Sequence, residues 1–207
     1  RVATPRTART AAARRAVTPS DIAAFLLEID GLKLVERRSY VAGGRRRENV
    51  AEHSWHIAVA AWVLSRYLGW NVSLEKVLKL ALVHDLGELD AGDTFLYSAT
   101  RAEGAKAERA CIERLARTHA ALLPELEALW EEQERGETAE SRLVKIADRL
   151  LPLLHNLASR GKTWRDHGIV RSQVLGAHRF IGDWAPEFFR WIEARLDEAV
   201  EKGWLAE

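Results

Sequence analysis

Asn49-Val50-Ala51-Glu52-His53-Ser54-Trp55-His56 begins the stretch on which the fold turns. An Asn followed three residues later by Glu can satisfy two free backbone N–H groups reciprocally, the arrangement that starts a helix. Apolar positions then recur at helical spacing to Leu68, and Gly69 supplies a stop. The same periodicity predicts that Trp55 faces the core with Val59 and Trp62. Upstream, Thr18-Pro19-Ser20-Asp21 is a second helix start, after which Ile22, Phe25, Leu26 and Ile29 recur until Gly31. Between the two helices, residues 39–47 read as a polar connector with Gly43-Gly44 as a turn. Downstream, Ser73 opens a helix that runs through Val83, and a less regular stretch follows over residues 86–102. Helices are predicted near 104–119, 124–135, 139–160, 169–183 and 186–202. No strand alternation competes, so the fold class is all-α, a compact helical bundle.

Three of these helical segments carry residues that bind metals. His53 lies in the first turn of its helix, His84 and Asp85 lie in Leu82-Val83-His84-Asp85-Leu86-Gly87-Glu88, and Asp148 ends Val144-Lys145-Ile146-Ala147-Asp148. Two imidazoles and two carboxylates with room for water suit a catalytic first-row ion, whereas closed structural zinc sites normally use cysteine. Neighbours on a helix point about 100° apart, so His84 and Asp85 share a metal only at a helix end, where Gly87 is expected to supply the backbone freedom. A carboxylate such as Asp148 on an apolar helix face is costly unless paired or metal-bound. Lys145 or Arg149 is the alternative partner. His56, one turn after His53, reads as a packing histidine or a supporting group, and His119, His155, His167 and His178 read as packing. Cys111 reads as core.

Composition narrows the setting. The chain has 207 residues, and charges interrupt every apolar run before bilayer-spanning length, so no membrane segment is expected. One cysteine cannot form an internal disulfide, which makes cytoplasm the expected location. The net charge of +1 conceals an asymmetry: Arg1, Arg6, Arg9, Arg14 and Arg15 stand without acids, leaving 26 basic against 30 acidic residues in the remainder. Residues 1–17 therefore read as a basic N-terminal extension, and residues 18–207 as one domain. The extension has no aromatic interleaving or repeated basic motif, so nucleic-acid polymers are not the expected partners. Eight tryptophans exceed what one small core comfortably hides, which points to a homodimer.

The order His, His-Asp, Asp on successive helices resembles the HD-domain phosphohydrolase superfamily. The flanking text narrows the likeness. Glu48-Asn49-Val50-Ala51-Glu52-His53, His84-Asp85 followed by Glu88 and Asp93, and Leu143-Val144-Lys145 followed by Asp148 are similar to the bacterial 5'-deoxynucleotidase branch and its eukaryotic relatives. The resemblance runs from about Ile22 to Leu157. It implies an HD-domain bundle with the metal site between helices, holding one divalent ion (Co, Mn, Zn, Mg, Fe or Ni) on His53, His84, Asp85 and Asp148. It gives Glu88 the handling of water and protons, and places Asp93 and Thr94 against substrate. Arg38, fifteen residues before His53, stands where those enzymes carry a phosphate-orienting arginine; a guanidinium fork binds two phosphate oxygens at once. Arg37 and the run Arg45-Arg46-Arg47 are the alternatives for that role. Lys145 is expected to steady Asp148 or a substrate oxygen. Where the family follows the arginine with a sugar-packing tryptophan, this chain has Ser39-Tyr40. Tyr40 is expected to replace that wall, or Ser39 to open it.

The expected function is metal-dependent phosphomonoester hydrolysis of (deoxy)nucleoside 5'-monophosphates. The alternatives are the same chemistry on another small phosphoester, such as a nucleoside triphosphate or a cyclic or specialised nucleotide, and non-catalytic nucleotide binding.

Overall fold

The computed structural model describes residues 16–207, so the basic extension falls almost entirely outside the described residues. The helices among the described residues are α1 (Pro19–Ile29), α2 (Val50–Leu68), α3 (Leu74–Val83), α4 (Glu88–Ala91), α5 (Arg101–Thr118), α6 (Leu126–Arg135), α7 (Ala139–Ala158), α8 (Lys162–Asp166), α9 (Arg171–His178), α10 (Phe180–Trp184) and α11 (Pro186–Glu201). A short 3-10 turn (Asp30–Leu34) follows α1.

Local chemistry accounts for the starts. Asn49 Oδ1 accepts from Glu52 N at 2.9 Å while Asn49 N donates to Glu52 Oε1 at 2.8 Å, so α2 has the reciprocal cap its sequence predicts. Ser73 caps α3 and Thr138 caps α7 through their side-chain oxygens. The expected helix over 169–183 is instead two short ones, α9 and α10, and α8 precedes them.

The polar connector is a correction. Residues 36–49 form an antiparallel hairpin of β1 (Glu36–Val41) and β2 (Arg46–Asn49), with Tyr40 opposite Arg47 and Val41 opposite Arg46. Its turn runs through Ala42, Gly43 and Gly44, all at positive φ (51°, 68° and 96°). Side chains alternate across the hairpin as strand geometry requires: Arg37 and Ser39 point inward, Glu36 and Arg38 outward.

α2, α3 and α7 form the centre. Ile57, Ala61 and Leu64 of α2 meet Val77 and Leu80 of α3 and Leu143, Ile146 and Leu150 of α7, and α9 to α11 extend this core through Val174, Ile181, Ile192 and Leu196. A second core joins Val50, Val83 and Leu86 to Cys111, Ile112 and Leu115 of α5 and to Leu126 and Trp130 of α6. Burying each such aliphatic side chain contributes roughly 1.5–3 kcal/mol. Trp55, Val59 and Trp62 do not join either core. They are 64%, 39% and 47% exposed, because the core-facing side of α2 is the stripe Val50, His53, Ser54, Ile57, Ala61 and Leu64.

Candidate metal centre and cavity

Three elements of the central core deliver the donors. His53 sits in the second turn of α2, His84 caps the C-terminus of α3 with Asp85 just beyond it, and Asp148 lies midway along α7. One donor atom each from His53, His84 and Asp148 lies within 4.8 Å of the others. His53 Nε2 is 3.3 Å from Asp148 Oδ1, and Asp85 Oδ2 is 3.0 Å from His84 Nε2 and 3.8 Å from His53 Nε2. The four sequence-assigned ligands therefore converge.

The donor set fits a divalent metal. His84 Nδ1 donates to the carbonyl of Ala81 at 2.8 Å, which leaves the Nε2 lone pair facing the centre, and that buried Nε2 has no hydrogen-bond partner. His53 Nδ1 lies 3.2 Å from Glu48 Oε2, so a carboxylate stands behind this imidazole as well. Asp148 also contacts the adjacent Arg149. Burial opposes ionisation of Asp148, but Arg149 and His53 overcome it and keep the carboxylate charged. Burial likewise opposes the charge on Asp85, and His84 and Arg37 restore it.

Gly87 plays a different part from the expected one. Its neighbour Glu88 opens α4 as the chain turns directly after α3, yet Gly87 itself has an ordinary helical φ of −61°. A Cβ there would lie 2.8 Å from both Cβ and the carbonyl oxygen of Glu108, so glycine is required for the close approach of α5. Glu108 thereby reaches the cavity, and burial together with the charge of Asp85 pushes its pKa up to about 7.

Arg37 is the residue that sequence reasoning undervalued. Its Nη1 is 2.9 Å from Asp85 Oδ2, 3.4 Å from Asp93 Oδ1 and 3.7 Å from Glu88 Oε2, and its Nε is 3.5 Å from Glu48 Oε2. The side chain is only 12% exposed, does not solvate the hairpin, and lies among four acidic side chains. The signal lay in strand alternation: if Ser39 points inward, Arg37 must too. We expect Arg37→Ala to destabilise the metal-free protein by about 3–5 kcal/mol, the usual consequence of leaving buried charges unpaired, or about 10 °C in melting midpoint. Arg37→Lys should recover part of that loss. A midpoint within about 1 °C of wild type for the alanine variant would show that the carboxylates need no such hub.

Glu88 is buried beside the centre, and burial, reinforced by the charge of Asp85, raises its pKa far above the ordinary carboxylate range despite Arg37. Asp93 is raised by burial as well. Asp90 is exposed and pairs with Arg114, the surface position expected of it. Lys145 does not reach Asp148: its Nζ donates to the carbonyl of Glu134 at 2.8 Å. His119 pairs with Glu28 and His178 lies against the carbonyls of Val174 and Arg149, both packing roles.

The centre opens into a cavity of about 530 Å³. Arg38, Ser39, Asp93, Thr94 and Lys145 all line it, with Arg101, Arg135 and Arg149 as further cations and Phe95, Tyr97, Phe180 and Trp184 as aromatic wall. Tyr40 is not part of that wall. It lies on the other face of β1, with Lys162 Nζ 4.5 Å and the Arg47 guanidinium 5.0 Å from its ring centroid.

The family model for the HD domain matches residues 29–188. The 5'-deoxynucleotidase HDDC2 of Danio rerio is 32% identical over 133 residues, 61% of this chain and 63% of that protein. The 5'-deoxynucleotidase YfbR of Escherichia coli is 37% identical over 73 residues, 33% of this chain and 36% of that protein. The chain spans about three fifths of the length of the HDDC2 relatives it matches. A crystal structure described as a predicted metal-dependent phosphohydrolase from Magnetospirillum magnetotacticum superposes with a TM-score of 0.81 at 38% identity, over 91% of this chain and 95% of that one. With the family match covering most of the sequence, the chain belongs to the HD domain family.

Proposed function

We propose that the protein is a metal-dependent phosphohydrolase that releases phosphate from nucleoside 5'-monophosphates. One observation carries this reading: His53, His84 and Asp148 converge, with Asp85 beside them, at the base of a cavity lined by cations and aromatic rings. The names of the HDDC2 and YfbR relatives support the substrate class. A divalent ion on these four residues would polarise a phosphoryl oxygen and lower the pKa of a water. Glu88, kept protonated by its burial, would donate to the leaving alkoxide. Arg38 would take two phosphate oxygens in its fork. Asp93 and Thr94 would contact the sugar side of the ester, with Lys145 at the phosphate side, and the rings of Tyr97, Phe180 and Trp184 would pack on the base.

Sugar choice follows from β1. Because Ser39 faces the cavity and Tyr40 turns away, no ring of the hairpin walls off the 2' position. We therefore expect AMP and dAMP to be hydrolysed with kcat/KM values within about tenfold of each other, since a site without steric or polar exclusion discriminates a single hydroxyl weakly. Phosphate release from a panel of ribo- and deoxyribonucleotides, measured with Co, Mn, Zn, Mg, Fe and Ni salts, tests both the reaction and this expectation. Turnover of triphosphates or cyclic nucleotides alone would replace the substrate class. Binding without turnover under every metal would overturn the reading.

The exposed stripe of Trp55, Val59, Trp62 and Val63 on α2, beside Leu82 of α3, supports a homodimer that covers it. Among the described residues no helix is long and apolar enough to cross a membrane, and the buried, unpaired Cys111 supports a cytoplasmic location.

A further inference from the structure

A second group of donors converges on the Nδ1 side of the His53 ring. α2 presents His53 and His56 three residues apart, and α7 presents Asp148 and His155 seven residues apart, so each helix shows two polar residues on one face. The first residue of each pair meets at the metal centre. The second residue of each pair meets one layer along, where the rings of His56 and His155 have centroids 5.8 Å apart. Glu48 of β2 stands between the layers. Its Oε2 faces His53 Nδ1 at 3.2 Å, and its Oε1 faces His155 Nδ1 at 3.9 Å. One donor atom each from Glu48, His56 and His155 lies within 4.8 Å of the others.

Nothing in the proposed phosphoester chemistry uses His56 or His155; His56 stacks on Trp55 with centroids 5.8 Å apart, a contact that leaves its ring nitrogens without hydrogen bonds. Among the described residues neither imidazole makes a hydrogen bond to the protein, and His155 Nδ1 is buried without a partner. Glu48 is 1% exposed, and its Oε2 also lacks an aligned hydrogen bond. Buried polar atoms without partners are costly, and His155 Nδ1 faces Glu48 Oε1 across one small space. The charges nearby leave that space open to a cation. Arg37 engages Glu48 from the Oε2 side, and Arg46 is held by Glu52.

We propose that Glu48, His56 and His155 form a second divalent-cation site, distinct from the centre at His53, His84, Asp85 and Asp148. Two imidazoles and one carboxylate suit zinc, cobalt or iron and leave positions for water. The two sites share no ligand, but they share a lever. A cation on Glu48 Oε1 fixes the carboxylate whose other oxygen faces His53 Nδ1, and so fixes the ring that carries a ligand of the first site. The second site is therefore a positioning site.

The test is metal stoichiometry. Chelator-treated full-length protein is titrated with Co²⁺ and with Zn²⁺, and bound metal is counted by elemental analysis after desalting. Two equivalents per chain are expected for wild type, one for the His56→Asn/His155→Asn double variant, one for Asp148→Ala, and none for the combination. The asparagine replacements keep polar side chains at these partly exposed positions, and circular dichroism checks the fold. Saturation of wild type at one equivalent, or two equivalents in the double variant, would overturn the site. Anomalous diffraction from zinc-soaked wild-type crystals gives a reading independent of any variant: a peak among Glu48, His56 and His155 supports the site, and a peak at the first centre alone refutes it.

Discussion

Asp148→Ala should lose the metal of the first centre and, with it, at least about 10²- to 10³-fold in turnover, the scale of the several kcal/mol that Lewis-acid stabilisation supplies. The argument is geometric. Asp148 Oδ1 lies 3.3 Å from His53 Nε2, in a site where His84 Nε2 already lacks a hydrogen bond. Removing the α7 carboxylate leaves donors from α2 and α3 alone, with Asp85 already engaged by Arg37. The variant also removes the carboxylate that Arg149 pairs with, which leaves an uncompensated positive charge next to the position of the lost ligand. Metal content by elemental analysis and phosphate release should fall together. Wild-type turnover in Asp148→Ala, after chelation and readdition of metal, would remove Asp148 from the ligand set.

The elements governed by local chemistry were legible in the sequence. The α2 cap at Asn49 and Glu52 and the α3 start at Ser73 each depend on residues within one turn, so sequence spacing was sufficient. The convergence of His53, His84, Asp85 and Asp148 was legible because their order along the chain resembles that of a known family and because a carboxylate such as Asp148 on an apolar helix face needs a partner. The hairpin was hidden for the opposite reason. Strands are usually betrayed by alternating apolar residues, but the inward positions of β1 are Arg37 and Ser39, and that of β2 is Glu48, because this hairpin faces a polar site and not the core. Its polarity is a consequence of its function, and it made the segment look like a loop. The same polarity hid the inward position of Arg37 beside the carboxylates.

Two further misreadings have tertiary causes. Trp55, Val59 and Trp62 recur at helical spacing, but α2 is apolar on more than one side, and which side meets α3 and α7 is decided by partners distant in sequence. Gly87 looked like a hinge, and its real constraint is α5, twenty residues on, pressing Glu108 against it. A glycine needed for close approach and a glycine needed for positive φ are identical in sequence.

Glu88→Gln should separate chemistry from metal binding and carries an opposite effect on stability. The glutamine keeps the shape of the buried side chain but cannot transfer a proton, so turnover should drop by about 10²- to 10⁴-fold with metal content retained. Loss of metal along with activity would make Glu88 a ligand instead. In the metal-free protein the substitution should also stabilise. Burial, with the charge of Asp85, raises the folded-state pKa of Glu88 above its ordinary value of 4.5. Below pH 4.5 the carboxyl is neutral in both folded and unfolded chains, so wild type loses nothing by burying it. As pH rises from there toward the elevated folded-state value, the unfolded chain ionises while the folded one stays protonated, and stability falls. Glutamine does not titrate and escapes that loss. The melting midpoint of metal-free Glu88→Gln should therefore exceed that of wild type at pH 8 and approach it at pH 4. A difference that is unchanged between those two pH values would mean that Glu88 is ionised in the folded protein, leaving it unable to serve as the proton donor proposed for the leaving alkoxide.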